Sequence, residues 1–158
     1  MRCIESVDLL KYRNQVSHVF LWDTESVGTG ESHRFFSRVE QADTGLYVLI
    51  LDDDDEIVHE YLVEDLIEHT HQGYPDAIFT KMDHGGGLGV LPRGFDSERF
   101  PVQGQVGISC PILSFELFQK VKGSFTTAYD GDFDFVRAAH SLSSNPYYWE
   151  KIVTRRQK

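Results

Sequence analysis

Apolar and polar residues alternate along the chain in segments of two kinds. Apolar side chains fall on one face at helical spacing over residues 3–12 and again over residues 58–69. Further helices are predicted over residues 31–42, 114–121 and 132–142, and strands over residues 16–22, 46–51, 77–80 and 102–108. Strands that alternate with helices in this way indicate an α/β domain.

The strand predicted over Leu46–Leu51 is apolar throughout and runs directly into four aspartates, Asp52 to Asp55. A continuous apolar strand is typical of a parallel sheet covered on both faces. In open α/β sheets ligands bind beyond the carboxyl ends of the strands, where these aspartates are expected. Because adjacent carboxylates repel one another, the run favours a hard divalent cation such as Mg²⁺ or Mn²⁺. The alternative is a solvated acidic turn.

Glycines punctuate residues 83–99, where they occupy positions 85, 86, 87, 89 and 94. This spacing predicts a loop or a hairpin. Beside a binding site such a segment would act as a lid, and the alternative is a connection without a role.

Composition narrows the class of protein. At 158 residues the chain is expected to form one domain over residues 1–158. A formal net charge of −10 argues against nucleic-acid binding, and the C-terminal Arg155 and Arg156 are interpreted as part of a solvated end. No membrane span or signal peptide is predicted, and the two cysteines have no metal-binding spacing, so a cytoplasmic location is expected.

Several motifs follow one another in a fixed order. The stretch Cys-Ile-Glu-Ser-Val over residues 3–7 lies in the first predicted helix, a strand ends at Asp23, and the apolar strand runs into Asp52–Asp55. Residues 103–118 predict a Gly-containing strand and a helix, and Gly131-Asp132-Phe133-Asp134 opens the last helix. Taken together, these motifs resemble the nucleotide-sugar-dependent glycosyltransferases of the GT-A fold, particularly the family-2-like group.

The resemblance implies a fold and an activity. It implies a single-domain α/β/α sandwich with a mostly parallel, Rossmann-like central sheet. That sheet would be N-terminally trimmed, because the family's first strand is reduced to Met1 and Arg2. The implied activity is metal-dependent transfer of a sugar, of the hexosyltransferase type, from a nucleoside-diphosphate sugar to a carbohydrate or other hydroxyl acceptor, with inversion.

Donor-site roles follow from the matched positions. By resemblance, Asp23 contacts the nucleobase, and Asp52 lies at the ribose and metal region. Asp54 binds Mn²⁺ or Mg²⁺ on the diphosphate. Asp53 is the alternate to Asp52 on the nucleotide and Asp55 the alternate metal ligand, because the run of four leaves the register open.

On the acceptor side, the resemblance makes Asp132 the catalytic base, with Asp134 in reserve. From its position alone, Asp132 is equally well a helix N-cap or a first-turn acid. His140 is interpreted as a surface histidine, or else as a third metal ligand. The aromatic residues Tyr147, Tyr148 and Trp149 either stack on a sugar or close the core.

Two other functional classes stay open. One is a non-catalytic module that binds a nucleotide, a nucleotide sugar or a divalent ion, or a fragment of a larger transferase. The other is a receiver-like phosphoacceptor domain, which fits less well because paired acids should follow its first strand and only Asp23 lies there.

Overall fold

The computed structural model describes residues 2–11, 16, 46–71, 73–95, 99–125 and 130–157. The helix predicted over residues 31–42, the strand predicted over residues 16–22 apart from Val16, and Asp23 lie outside the described residues. Among the described residues, no helix is long and apolar enough to cross a membrane.

A mixed sheet forms the centre of the described structure. Its strands are β1 (Tyr47–Leu49), β2 (Asp55–Ile57), β3 (Ala77–Asp83), β4 (Val90–Leu91), β5 (Pro111–Ser114) and β6 (Pro146–Arg156). They lie in the order β1-β5-β3-β6-β2, and β4 pairs with β3. Of the pairings between described strands, β3 with β6 is parallel and the others are antiparallel. For these strands the expectation of a mostly parallel sheet is wrong, because β5 runs against both of its neighbours.

Strand direction nevertheless produces one common edge. Since β5 is antiparallel to both β1 and β3, these two strands run the same way, and β6 is parallel to β3. The carboxyl ends of β1, β3 and β6 therefore meet at one edge of the sheet, called here the carboxyl edge. Their amino ends meet at the opposite edge, the amino edge.

Helices cover both faces of the sheet. They are α1 (Arg2–Asp8), α2 (Leu62–His71), α3 (Phe115–Val121) and α4 (Gly131–Leu142). On one face, Phe79 and Leu113 pack with residues of α3 and α4. On the other, Ile78 and Ile112 pack with residues of α1 and α2, as the alternation of side chains along a strand requires. The predicted α/β/α architecture is confirmed.

Individual elements agree with the sequence pattern to different degrees. The helices predicted over residues 114–121 and 132–142 correspond to α3 and α4, and the glycine-rich segment forms a hairpin between β3 and β4. The prediction of a strand over residues 102–108 is wrong. The chain turns there, since the Gln105 N–H donates to the Val102 carbonyl (3.0 Å) and Gly104 has a φ of +73°. The strand begins instead at Pro111.

A polar clasp at the amino edge joins the start of β3 to the connection between α4 and β6. The carboxylate of Asp76 accepts hydrogen bonds from the Ser143 hydroxyl, from the Ser144 N–H (2.8 Å) and hydroxyl (2.9 Å), and from the Asn145 N–H (3.1 Å). Partial burial raises the pKa of Asp76, but these hydrogen bonds outweigh it, and the pKa lies below its ordinary value. The ionised form therefore stabilises the fold.

Replacing Asp76 by Asn should lower the free energy of unfolding at pH 7 by about 1–3 kcal/mol, because it removes a charged acceptor of several hydrogen bonds. Since the folded-state pKa of Asp76 is lowered, its stabilisation is complete above the unfolded pKa of about 4 and disappears as the pH falls through the folded value. Urea denaturation at several pH values measures both effects. Glu68→Gln on the exposed side of α2 is the control, and equal losses in the two variants would contradict the clasp.

Candidate functional site

Charged and polar residues from five chain segments converge on the carboxyl edge. Residues 52–54 follow β1, and Asp55 begins β2. Asp83 ends β3, and Arg156 ends β6. Residues 107–110 precede β5, and the first turn of α4 lies against them through a hydrogen bond from the Ile108 N–H. The acidic run thus lies beyond the end of its strand, as expected from its sequence.

Asp55 is the buried member of the run, with 4% of its surface exposed. Its carboxylate accepts a hydrogen bond of 2.5 Å from the hydroxyl of Ser109, which is itself fully buried. Burial raises the pKa of Asp55, against the opposing effects of the Ser109 bond and of Arg156 and His84. These contacts give Asp55 a structural role in joining β2 to the segment before β5.

Asp54 and Asp53 lie in the turn between β1 and β2. The turn is closed by a hydrogen bond from the Asp55 N–H to the Asp52 carbonyl (3.1 Å). The carboxylate of Asp54 accepts a hydrogen bond of 2.8 Å from Nε of Arg156, and both side chains are about half exposed. Asp53 is exposed. Asp54 therefore already has a cationic partner in this structure.

Asp52 carries negative charge that no described residue neutralises. Its carboxylate has no hydrogen bond or ion pair with the part of the chain that the structure describes. By surface area the residue is exposed, but protein atoms partly desolvate its carboxyl. This burial, the carboxylate of Asp132 and the other three acids of the run together raise the pKa of Asp52 to about 6.

Asp132 lies in the first turn of α4, half-buried. Its Oδ2 accepts a hydrogen bond of 3.2 Å from the Ile108 N–H. Burial raises the pKa of Asp132, and the Ile108 bond partly opposes that rise. A carboxylate with a raised pKa is a better proton acceptor than an ordinary one. The structure thus brings together Asp52 and Asp132, which come from opposite halves of the chain.

Asp134 is not part of this group. Two residues along a helix are separated by about 200°, so Asp134 points away from Asp132. Its carboxylate accepts a hydrogen bond of 2.8 Å from Nη2 of Arg137, beside a shallow cavity also lined by Ser124 and Ser141. The predicted base and its reserve therefore lie on different sides of α4.

The segment over residues 107–110 connects the acidic run to Asp132. Two fully buried threonines hold it in place: the Thr80 hydroxyl donates to the Cys110 carbonyl (2.8 Å), and the Thr154 hydroxyl donates to the Ser109 carbonyl (3.3 Å). At Gly107 an added Cβ would lie 2.9 Å from Sδ of Met82, so a side chain there would displace Met82. This packed turn therefore sets the distance between the acidic run and Asp132.

Arg155 and Arg156 were expected to belong to a solvated end, but they are the last residues of β6. Arg155 forms ion pairs with Glu56 and Asp83, and Arg156 forms one with Asp54. The β-branched run Ile152-Val153-Thr154 before the two arginines was the signal for β6. His84 is a further residue that the pattern did not indicate; its Nε2 lies 3.4 Å from Nη1 of Arg156.

His140 and the aromatic residues Tyr148 and Trp149 pack against the core, and within the described residues they have no hydrogen bond or ion pair with the acids of the carboxyl edge. Nε2 of His140 is 2.7 Å from the Tyr148 hydroxyl, and its ring packs against Phe79 and Phe100. Burial lowers the pKa of His140. Trp149 packs against one core cluster, and Tyr148 against the other. Core closure, rather than sugar stacking, is the role that these contacts support.

The donor set suits a partly coordinated cation. Among the described residues, no three His, Cys, Asp or Glu side chains lie close enough to enclose a metal ion. Mg²⁺ and Mn²⁺ commonly take one or two carboxylates and complete their shell with water and phosphate oxygens. Asp52, which pairs with no cation among the described residues, and Asp54, whose ion pair with Arg156 is about half exposed, fit that pattern.

Comparison with known proteins identifies the fold. No protein family model and no curated protein matches the chain. The crystal structure of S. aureus TarS matches with a TM-score of 0.58 and 17% identity, over 80% of this chain and 23% of that one. S. aureus TarS 1–349 matches with a TM-score of 0.57 and 18% identity, over 92% and 45%. The complex of TarS 1–349 with UDP matches with a TM-score of 0.54 and 16% identity, over 82% and 41%.

TarS is a glycosyltransferase, so this chain has a glycosyltransferase-like fold. It spans less than half the length of the TarS chains that it matches.

Replacing Ser109 by Ala should lower the free energy of unfolding at pH 7 by about 1–3 kcal/mol, because the buried carboxylate of Asp55 loses its hydroxyl donor. The Ser109 bond lowers the pKa of Asp55, so the loss should shrink as the pH falls and Asp55 becomes protonated. Chemical denaturation at pH 7 and pH 4 measures this. Ser141→Ala on the exposed side of α4 should change stability by no more than about 0.5 kcal/mol. A Ser109→Ala variant as stable as that control would contradict the structural role.

Proposed function

We propose that this chain binds a nucleoside-diphosphate sugar at its carboxyl edge and transfers the sugar to a hydroxyl acceptor with inversion. The observation that carries the proposal is the placement of Asp52 and Asp132 at one edge, close enough for the charge of Asp132 to raise the pKa of Asp52. Two carboxylates in different surroundings are suited to different roles. The likeness in fold to TarS, one structure of which holds UDP, supports a nucleotide donor.

In this proposal Asp52 and Asp54 hold Mn²⁺ or Mg²⁺ together with the diphosphate. The cation supplies Lewis-acid stabilisation of the charge that develops on the leaving diphosphate. Asp55 keeps its bond to Ser109 and supports the turn. Asp53, exposed beside Asp52, is the alternate contact to the nucleotide, and Asp23 remains the predicted contact to the nucleobase.

Asp132 acts as the general base. The acceptor oxygen attacks the anomeric carbon, the bond from that carbon to the diphosphate oxygen breaks, and the acceptor proton moves to Asp132. The N–H of Ile108 holds one oxygen of Asp132, which leaves the other for the acceptor. Activity should fall as the pH drops through the raised pKa of Asp132, because only the carboxylate accepts the proton.

A second candidate is donor binding without turnover, with this chain as the nucleotide-binding part of a larger transferase. The observation that favours it is length, since the chain covers only 41% of the TarS chain that holds UDP. Both candidates require the same donor site. They differ in whether sugar is transferred or hydrolysed by this chain alone.

UDP together with Mn²⁺ should raise the melting temperature, because a ligand that binds only the folded state stabilises it by about 2.7 kcal/mol at one hundred times its dissociation constant. UDP or Mn²⁺ alone should stabilise less, since the carboxylates and the diphosphate repel each other without the cation. Thermal denaturation with a panel of nucleoside diphosphates, with and without EDTA, measures this. Asp52→Asn should abolish the joint effect. A melting temperature indifferent to every nucleotide, with or without metal, would contradict the donor site.

Replacing Asp132 by Asn should lower transfer or donor hydrolysis by about 10²–10⁴-fold and leave UDP binding intact, because a general base acts on the acceptor proton and not on the nucleotide. Asp134→Asn is the matched control, since that residue lies two positions away on the other side of α4, and its activity should stay close to wild type. Turnover assays and calorimetric titration of UDP separate the effects. Equal activities in both variants would contradict the assignment of the base, and binding without wild-type turnover would favour the second candidate.

A further inference from the structure

The carboxyl end of β6 carries two adjacent arginines that lie on opposite faces of the sheet. Successive side chains of a strand alternate between faces. A register shift against β3 interrupts this alternation at Val153, so the faces of the last residues are taken from their pairing with β2. Thr154 pairs with Ile57, which packs in the cluster with α1 and α2, so Thr154 and Arg156 lie on that face and Arg155 lies on the face that α3 and α4 cover.

Arg155 has acidic partners on both neighbouring strands. It pairs in register with Glu56 of β2 and with Asp83 of β3. Its guanidinium lies 3.9 Å from Oε1 of Glu56 and 3.3 Å from Oδ2 of Asp83. The charge of Arg155 is therefore offset within the sheet by one acidic side chain from each neighbouring strand.

Arg156 is differently placed. It pairs in register with Asp55, and its Nε donates to Asp54 at 2.8 Å. Its Nη1 lies 3.4 Å from Nε2 of His84. The side chain is 48% exposed, so part of the guanidinium faces solvent at the carboxyl edge. Because half-exposed ion pairs are weak, Arg156 can exchange Asp54 for another partner at little cost.

We propose that Arg156 is the internal counter-ion of the donor site, which the divalent cation displaces from Asp54 and which then binds the diphosphate of the donor. This inference rests on the proposed function. Asp54 has the oxygen ligands that Mg²⁺ and Mn²⁺ prefer, and a guanidinium binds two phosphate oxygens at once through parallel N–H donors. Each group thereby gains the partner that suits it better.

The exchange also accounts for how the charges of the site are balanced before metal and donor bind. Without a cation, the acids of the run repel one another, and Arg156 offsets part of that repulsion at Asp54 and Asp55. With metal and donor bound, the metal offsets the carboxylates and Arg156 offsets the phosphate. The arginine is thus used in both states, with different partners.

The experiment compares Arg156→Gln with Arg155→Gln, which remove the same charge from adjacent positions of one strand. Binding of Mn²⁺ alone is measured by electron paramagnetic resonance of the free ion, and binding of UDP at saturating Mn²⁺ by calorimetry. Arg156→Gln should tighten Mn²⁺ about threefold or more, because a competing cation is lost from Asp54. It should weaken UDP about tenfold, because a bidentate phosphate contact is lost. Arg155→Gln should change both constants by less than twofold.

A third variant separates charge from geometry. Arg156→Lys should keep Mn²⁺ binding close to wild type but still weaken UDP, since an ammonium group cannot make the bidentate contact. Equal shifts in the Arg155 and Arg156 variants would overturn the inference in favour of a general electrostatic effect, as would unchanged UDP binding in Arg156→Gln. If the wild type binds no nucleotide at all, the result contradicts the proposed function and also the part of the inference in which Arg156 binds the diphosphate. The Mn²⁺ titrations alone then show whether Arg156 competes for Asp54.

Discussion

The parallel pairing of β3 with β6 is the contact on which the arrangement of this protein depends. It places the ends of two strands, Asp83 and Arg156, at the same edge as the acidic run that follows β1. With β6 reversed, its arginines would lie at the amino edge and Asp54 would have no cation beside it. The chemistry proposed for the carboxyl edge is therefore a consequence of strand direction as much as of residue type.

At that edge, four adjacent carboxylates are tolerated because their surroundings differ. Asp55 is buried and bonded to Ser109, Asp54 is paired with Arg156, and Asp53 is exposed to solvent. Asp52 is left with a raised pKa and with Asp132 as a near neighbour. A run of four identical residues thus becomes a set of distinct groups, and Asp52, which pairs with no described cation, is one of the two proposed to hold the metal ion.

Local patterns were sufficient for α3, for α4 and for the position of the acidic run, because the period of these two helices and the apolar strand before Asp52 are properties of short segments. Contacts between distant parts of the chain were not predictable in this way. The pair of Arg156 with Asp54 joins residues 102 positions apart. The strand β2 is too short and too charged to show an apolar pattern, and the direction of β5, which makes the sheet mixed, depends on its neighbours and not on its own sequence.

The Asp76 clasp lies at the amino edge, whereas the acids proposed for catalysis lie at the carboxyl edge. One anchor of the fold is thereby separated from the proposed chemistry along the axis of the strands, whereas the bond of Asp55 with Ser109 lies beside that chemistry. Substitutions in the loops of the carboxyl edge therefore leave the hydrogen bonds of the Asp76 clasp intact, and the start of β3 stays joined to the connection between α4 and β6.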